Sequence, residues 1–209
     1  MRFLLPLALA ISALAACVAS PAAAMSFETI SGPEACAARG CVLASGLIGE
    51  QSDAEFARFV SANRVPSGAL VILDSEGGDL LASLKLGNEI RGDGLATTVA
   101  AYDKADGRFV AGGSCASACA YVFLGGVERS VGRDARIGVH QIHTEDRTWA
   151  MSAEAGFDLM SLVAVHLQKL CGNLGLLIPA LRTRPQEMHW LSASELTRYG
   201  VVTTSAGVA

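Results

Sequence analysis

One stretch constrains this chain more than any other: Gly112-Gly113-Ser114-Cys115-Ala116-Ser117-Ala118-Cys119-Ala120-Tyr121-Val122-Phe123-Leu124-Gly125-Gly126. Its first half is built of small residues. From Tyr121 it turns bulky and apolar, and no charge appears until Glu128. That order reads as a loop or strand end turning tightly into a buried helix. Ser117 falls at the helix mouth, with cysteines at i−2 and i+2. Backbone N–H groups at a helix start are uncommitted, and the helix dipole there is positive. The Ala118 N–H can therefore stabilise negative charge that develops beside the Ser117 hydroxyl. The same residues also suit a purely structural role, close helix–sheet packing with Ser117 as a cap. This segment alone favours neither reading.

Two further stretches tilt the balance. Ala69-Leu70-Val71-Ile72-Leu73-Asp74-Ser75-Glu76-Gly77-Gly78-Asp79 is a continuous apolar run ending in a glycine pair. Such a run suits a parallel strand covered on both faces. Ala135-Arg136-Ile137-Gly138-Val139-His140-Gln141 reads as a short strand with a histidine at its end. In this order the three stretches resemble the proteolytic subunit of Clp protease, within the ClpP/crotonase superfamily. The likeness is strongest to periplasmic ClpP-like proteins with a Cys-x-Ser-x-Cys nucleophile motif. It spans roughly residues 41–203, and its closing part runs from Trp190-Leu191-Ser192-Ala193 to Tyr199-Gly200-Val201.

The start of the chain reads as a targeting segment. Arg2 supplies the positive region, residues 3–16 are apolar but short for a membrane span, and Ala22-Ala23-Ala24 offers a cleavage site. A second signal, Leu14-Ala15-Ala16-Cys17, has lipobox form. Cleavage there would leave a lipidated Cys17, the only route to a membrane in this reading. Residues 1–24 are taken as a signal peptide, 25–40 as a flexible lead-in and 41–209 as one ClpP-like domain. The expected location is periplasmic or secreted. In an oxidising compartment disulfides are the default. Cleavage at Ala24 leaves Cys36, Cys41, Cys115, Cys119 and Cys171, an odd number, so one thiol is free or pairs between chains. Cys36 with Cys41 is a local pair, and Cys115 or Cys119 could tie down the nucleophile turn. The pairing itself cannot be read from sequence. With 16 basic and 20 acidic residues the net charge is −4, with no basic patch for nucleic acid. No Cys/His quartet has the spacing of a zinc site, so neither metal nor cofactor is expected.

Strand and helix signals alternate, which predicts an α/β fold with parallel strands. The resemblance specifies the ClpP/crotonase spiral of repeated β-β-α units. Ser52-Asp53-Ala54-Glu55 and Ser192-Ala193-Ser194-Glu195 both have capping-box form. Residues 95–102 read as one strand, and 103–108 as a polar loop near the nucleophile turn. Residues 152–171 form an amphipathic helix that serves either as core or, by resemblance, as a subunit contact in a homo-oligomer. His166 within it reads as structural. Residues 201–202 read as a last strand.

Carried over from the family, Ser117 attacks a carbonyl and His140 takes and returns the proton. The Ala118 N–H and a Gly77 or Gly78 N–H hold the oxyanion, each worth on the order of 3 kcal/mol. Two departures stand out. Glu76 occupies the usual proline position, adding a charge beside the glycine pair. The family's aspartate position is Met188, flanked by Glu187 and His189. Either Glu187 orients His140 after a local shift, or another group such as Asp158 does, or the pair works alone. His143 is a weaker candidate. The implied function is an exported serine hydrolase of the peptidase kind, acting on a peptide or protein. The alternative is a catalytically inactive ClpP-fold binding or assembly protein. An acyl-CoA enzyme fits poorly because export separates it from coenzyme A. A Ser–Lys dyad fits poorly because Lys169 is the only late lysine.

Overall fold

The computed structural model describes residues 23–142 and 153–204. The lipobox at Cys17, most of the targeting segment, His143 and the last five residues lie outside this range. In chain order the elements are β1 (Ser26–Ile30), α1 (Glu34–Ala37), β2 (Cys41–Ser45), α2 (Ser52–Asn63), β3 (Leu70–Asp74) and α3 (Leu80–Gly92). Then come β4 (Ala96–Val99), β5 (Ala101–Asp103), β6 (Arg108–Val110), β7 (Ser114–Ala116), α4 (Cys119–Phe123), β8 (Arg129–Val131) and β9 (Arg136–Val139). The chain closes with α5 (Ala153–Cys171), α6 (Leu177–Arg182), β10 (His189–Trp190) and α7 (Ala193–Arg198).

The larger sheet has the order β1-β2-β3-β4-β8, and every pairing except β1–β2 is parallel. The apolar runs of β2 and β3 are buried on both faces, as parallel strands under helices require. One face meets α2, α3 and α4, with Phe56, Ile90, Val122 and Phe123 in the core. The other face is covered more thinly. There Cys36, Cys41, Leu43, Leu70 and Ile72 pack under Tyr102 and Phe109 of the β5–β6 ribbon. A second sheet, β10-β9-β7, abuts the first through a parallel bridge between Ser75 and Cys115.

Several sequence expectations are corrected here. Residues 25–40 hold β1 and α1 rather than a flexible lead-in: β1 pairs in full with β2, and the Cys36–Cys41 disulfide staples α1 to the start of β2. The first capping box is absent. Gln51 is the N-cap of α2, and the Ser52 hydroxyl accepts the Gly49 N–H instead. The second is present in full, with Ser192 and Glu195 exchanging bonds. The strand expected over 95–102 breaks at Ala100 into β4 and β5. The tip of the ribbon reaches back to β1, where Lys104 pairs with Glu28. Residues 201–202 form no strand. Their segment is held by Arg129, a buried guanidinium that donates to the carbonyls of Gly126, Gly200 and Val201. Among the described residues no helix is long and apolar enough to cross a membrane.

Two glycines set how closely α4 approaches α3. A Cβ on Gly125 would lie 2.2 Å from the Gly87 carbonyl oxygen, so no side chain fits between the two backbones. This crossing seats α4, and with it the turn that precedes α4.

Candidate active site

Ser117 sits between the end of β7 and the start of α4 with φ +54°, in the left-handed region. A residue with a Cβ reaches that region at a cost of roughly 1–3 kcal/mol, and such positions concentrate at functional sites. Three ties hold the kink. The Ser117 N–H donates to the Gly138 carbonyl of β9, at 2.9 Å. The Ala116 N–H donates to the Ser75 carbonyl, also at 2.9 Å. Cys115 and Cys119, both fully buried, form a disulfide across the turn.

The glycine pair abuts this turn from the end of β3. Gly77 has φ +101°, and a Cβ there would stand 2.7 Å from the Ala116 carbonyl oxygen and 2.9 Å from the Ser117 Cβ. The same point lies 3.1 Å from the Ala118 nitrogen. Only glycine lets the two backbones come this close. Gly78, at φ +136°, is pressed as tightly against Ile48, whose N–H and carbonyl bond on either side of it to the Gly77 carbonyl and the Asp79 N–H.

The two glycine amides differ. The Gly77 N–H is committed to the Ser75 hydroxyl at 3.1 Å. No acceptor among the described residues takes the N–H of Gly78 or of Ala118. Of the two amides that the sequence offered as equal donors, the Gly78 N–H is the one without an acceptor among the described residues. Glu76 is exposed and accepts a 2.7 Å bond from the Ser114 hydroxyl. Ser114 in turn gives its N–H to Asp74, whose pKa is raised chiefly by burial and further by the nearby Glu76 charge.

His140 follows β9 directly and is half-buried. Parallel pairing sets Ala116 opposite Gly138, so Ser117 and His140 leave the same ends of neighbouring strands. An open cleft of about 380 Å³, lined by Asp74, Gly112, Gly113, Ser114, Asp134 and Arg136, lies at the other ends of those strands.

Antiparallel pairing puts His189 opposite Val139 and Trp190 opposite Gly138, and the β9–β10 ladder ends there. A Cβ on Gly138 would touch both the Met188 side chain and Trp190, so Met188 packs over Gly138, two residues before His140. Glu187, one residue earlier, lies in a bend and is exposed; its N–H is spent on the Arg184 carbonyl. The neighbouring histidine is also taken: His189 bonds Glu195 at 3.0 Å. The Ser192 N–H, then its hydroxyl, then His189 hold the Glu195 carboxyl down at about 2. Asp158 is exposed on α5, Lys169 bonds Asn88, and the buried His166 bonds the Tyr121 carbonyl. Among the described residues no group of three or more His, Cys, Asp or Glu could hold a metal ion.

Sequence reasoning missed Arg129 and Ser75. Arg129 ties β8 to the last turn of the chain. The Ser75 hydroxyl takes the Gly77 N–H and donates to the Gly46 carbonyl at 2.6 Å. The contacts that give them their roles, Arg129 to Gly200 and Val201 and Ser75 to Gly46, are far off in sequence.

Comparison with known proteins agrees on architecture alone. No protein family and no curated protein matches the chain. Among solved structures, a point mutant of ClpP1 from Listeria monocytogenes is similar, with a TM-score of 0.58 at 16% identity. The match covers 80% of this chain and 91% of that one. The chain therefore has a ClpP-like α/β fold.

Proposed function

We propose that the protein is an exported serine hydrolase of the peptidase kind, with Ser117 as nucleophile and His140 as general base. The observation that carries this reading is the left-handed Ser117 turn packed against the Gly77–Gly78 backbone, where the Gly78 and Ala118 N–H groups have no acceptor among the described residues. In the proposed mechanism the Ser117 Oγ attacks a peptide carbonyl as His140 accepts its proton. The carbonyl oxygen, now negative, is received by the Ala118 and Gly78 amides. His140 then protonates the leaving amine, and water repeats the cycle on the acyl-enzyme. The substrate is an extended peptide or protein segment, and a homo-oligomer follows by analogy with the fold. Two disulfides fit an oxidising compartment, periplasmic or extracellular.

One observation favours the second reading, a non-catalytic binding or assembly protein. Met188, which stands at the position of the family's aspartate, carries no carboxylate and packs over Gly138. Where an orienting acid has been removed from a serine triad, kcat has fallen by about 10⁴. A fluorophosphonate probe decides between the two. Labelling of the wild type that disappears in Ser117→Ala and falls sharply in His140→Ala supports the hydrolase. Labelling that is absent, or equal in wild type and Ser117→Ala, leaves the binding protein.

A further inference from the structure

Ser117 holds a backbone conformation that its Cβ disfavours, and the element after it is weak. α4 has only five residues, too few to fix its own first turn by helical bonding. The glycine contact at Gly77 is repulsive at short range and can exclude conformations but not attract one. What bridges the kink covalently is the Cys115–Cys119 disulfide, which begins two residues before Ser117 and ends two residues after it. Its two ends are anchored differently. Cys115 is fixed in β7 between β9 and Ser75, whereas Cys119 opens α4. The bond thus sets the angle between strand and helix at the residue that carries the hydroxyl.

We propose that Cys115 and Cys119 are positioning residues for the Ser117 nucleophile, so that the chain gains hydrolytic competence only when these two thiols are oxidised. This rests on the hydrolase reading above. The activating step joins the two sulfurs, releases two protons and passes two electrons to a disulfide of a thiol–disulfide oxidant, which leaves as a dithiol. Both cysteines are fully buried once the turn is closed, so an outside thiol reaches the bond only by opening the turn. The device works in one direction: a chain made in a reducing compartment is inactive, and oxidation sets the site once. The Cys36–Cys41 disulfide lies on the far face of the larger sheet and has no part in this.

The test uses the full chain with Cys17, Cys36, Cys41 and Cys171 replaced by serine, so that only the turn disulfide can form within the chain. It is prepared reduced and then oxidised, with thiol content read by alkylation and mass. Circular dichroism and melting verify that both forms are folded at the assay temperature. The readouts are the saturating rate of fluorophosphonate labelling and amide hydrogen exchange over residues 114–124. Oxidation is expected to raise the labelling rate about a hundredfold, the scale on which a misplaced reacting group acts. It is also expected to slow exchange at 116–118 about tenfold or more, with β2–β4 unchanged. Equal labelling by two folded forms overturns the proposal. If neither form labels, the hydrolase reading falls, and the exchange data still decide whether the disulfide orders the turn. Should the serine variant not fold, Cys115→Ala/Cys119→Ala in the otherwise native chain takes its place, with the same expected losses.

Discussion

Replacing Gly77 with alanine tests the central contact of the site. The new Cβ would stand 2.9 Å from the Ser117 Cβ, and ordinary carbon contacts begin near ~3.5 Å, so the two must part by about 0.6 Å. Neither side yields easily. Ala116 is held by Ser75 and Ser117 by Gly138, while the Gly77 carbonyl is bonded to the Ile48 N–H. The φ of +101° adds roughly 1–3 kcal/mol for any residue with a Cβ. For a domain of this size that lowers Tm by about 2–4 °C per kcal/mol. A displacement of 1 Å at a reacting group costs about a hundredfold in rate, so a shift of about half that should cost on the order of tenfold or more. The assay is fluorophosphonate labelling rate beside thermal melting by circular dichroism. Gly68→Ala is the control, since Gly68 has φ +82° but open space around its missing Cβ. It should lower Tm and leave labelling unchanged. If Gly77→Ala loses stability as the control does yet labels at the wild-type rate, Gly77 does not shape the nucleophile turn.

Four other outcomes are expected. Met188→Asp supplies a carboxylate at the position of the family's aspartate; it should raise the labelling rate by tenfold or more and shift the alkaline side of its pH profile upward, and an unchanged rate would count against an orienting role for that position. Gly125→Ala forces a methyl group against the Gly87 backbone, so it should cost about 1–3 kcal/mol or more in urea denaturation. Arg129→Met strands three carbonyls that the guanidinium now serves and should cost roughly 3–5 kcal/mol, read the same way. His166 has a pKa lowered from its ordinary 6.5, mainly by burial, with Lys169 and Arg91 nearby and the Tyr121 carbonyl opposing the shift. The unfolded chain thus binds the proton first, so this contribution to stability is complete above about 6.5 and is lost as pH falls toward the lowered folded value. Denaturation midpoints between pH 8 and 5 should fall less in His166→Gln than in the wild type.

Local signals carried far in this chain, and their failures share a cause. The Leu70–Asp74 run, the Ser192 capping box and the long apolar spacing of α5 all declared themselves, since each is decided within about one turn or one strand. β1 did not, because a five-residue polar strand forms only when the edge of β2 is there to receive it. Ser52 looked like a cap and became a helical residue, because Gly49 offered its hydroxyl a partner. At the candidate site, Ser117, His140 and the glycine pair were nominated from the order of three motifs that resembles the family. That Gly77 spends its amide on Ser75, while Gly78 has no acceptor among the described residues, was not legible.

By itself the sequence determined the alternation of buried strands with helices, the small-residue turn that Ser117 occupies, and the glycines that must stand bare. These follow from side-chain size and periodicity, which act between near neighbours. Tertiary structure decided which cysteines join, that Met188 packs over Gly138, and that Arg129 holds the segment at Gly200 and Val201. Those depend on strand register and on the meeting of segments up to about seventy residues apart, where one step of register exchanges the face that every side chain presents.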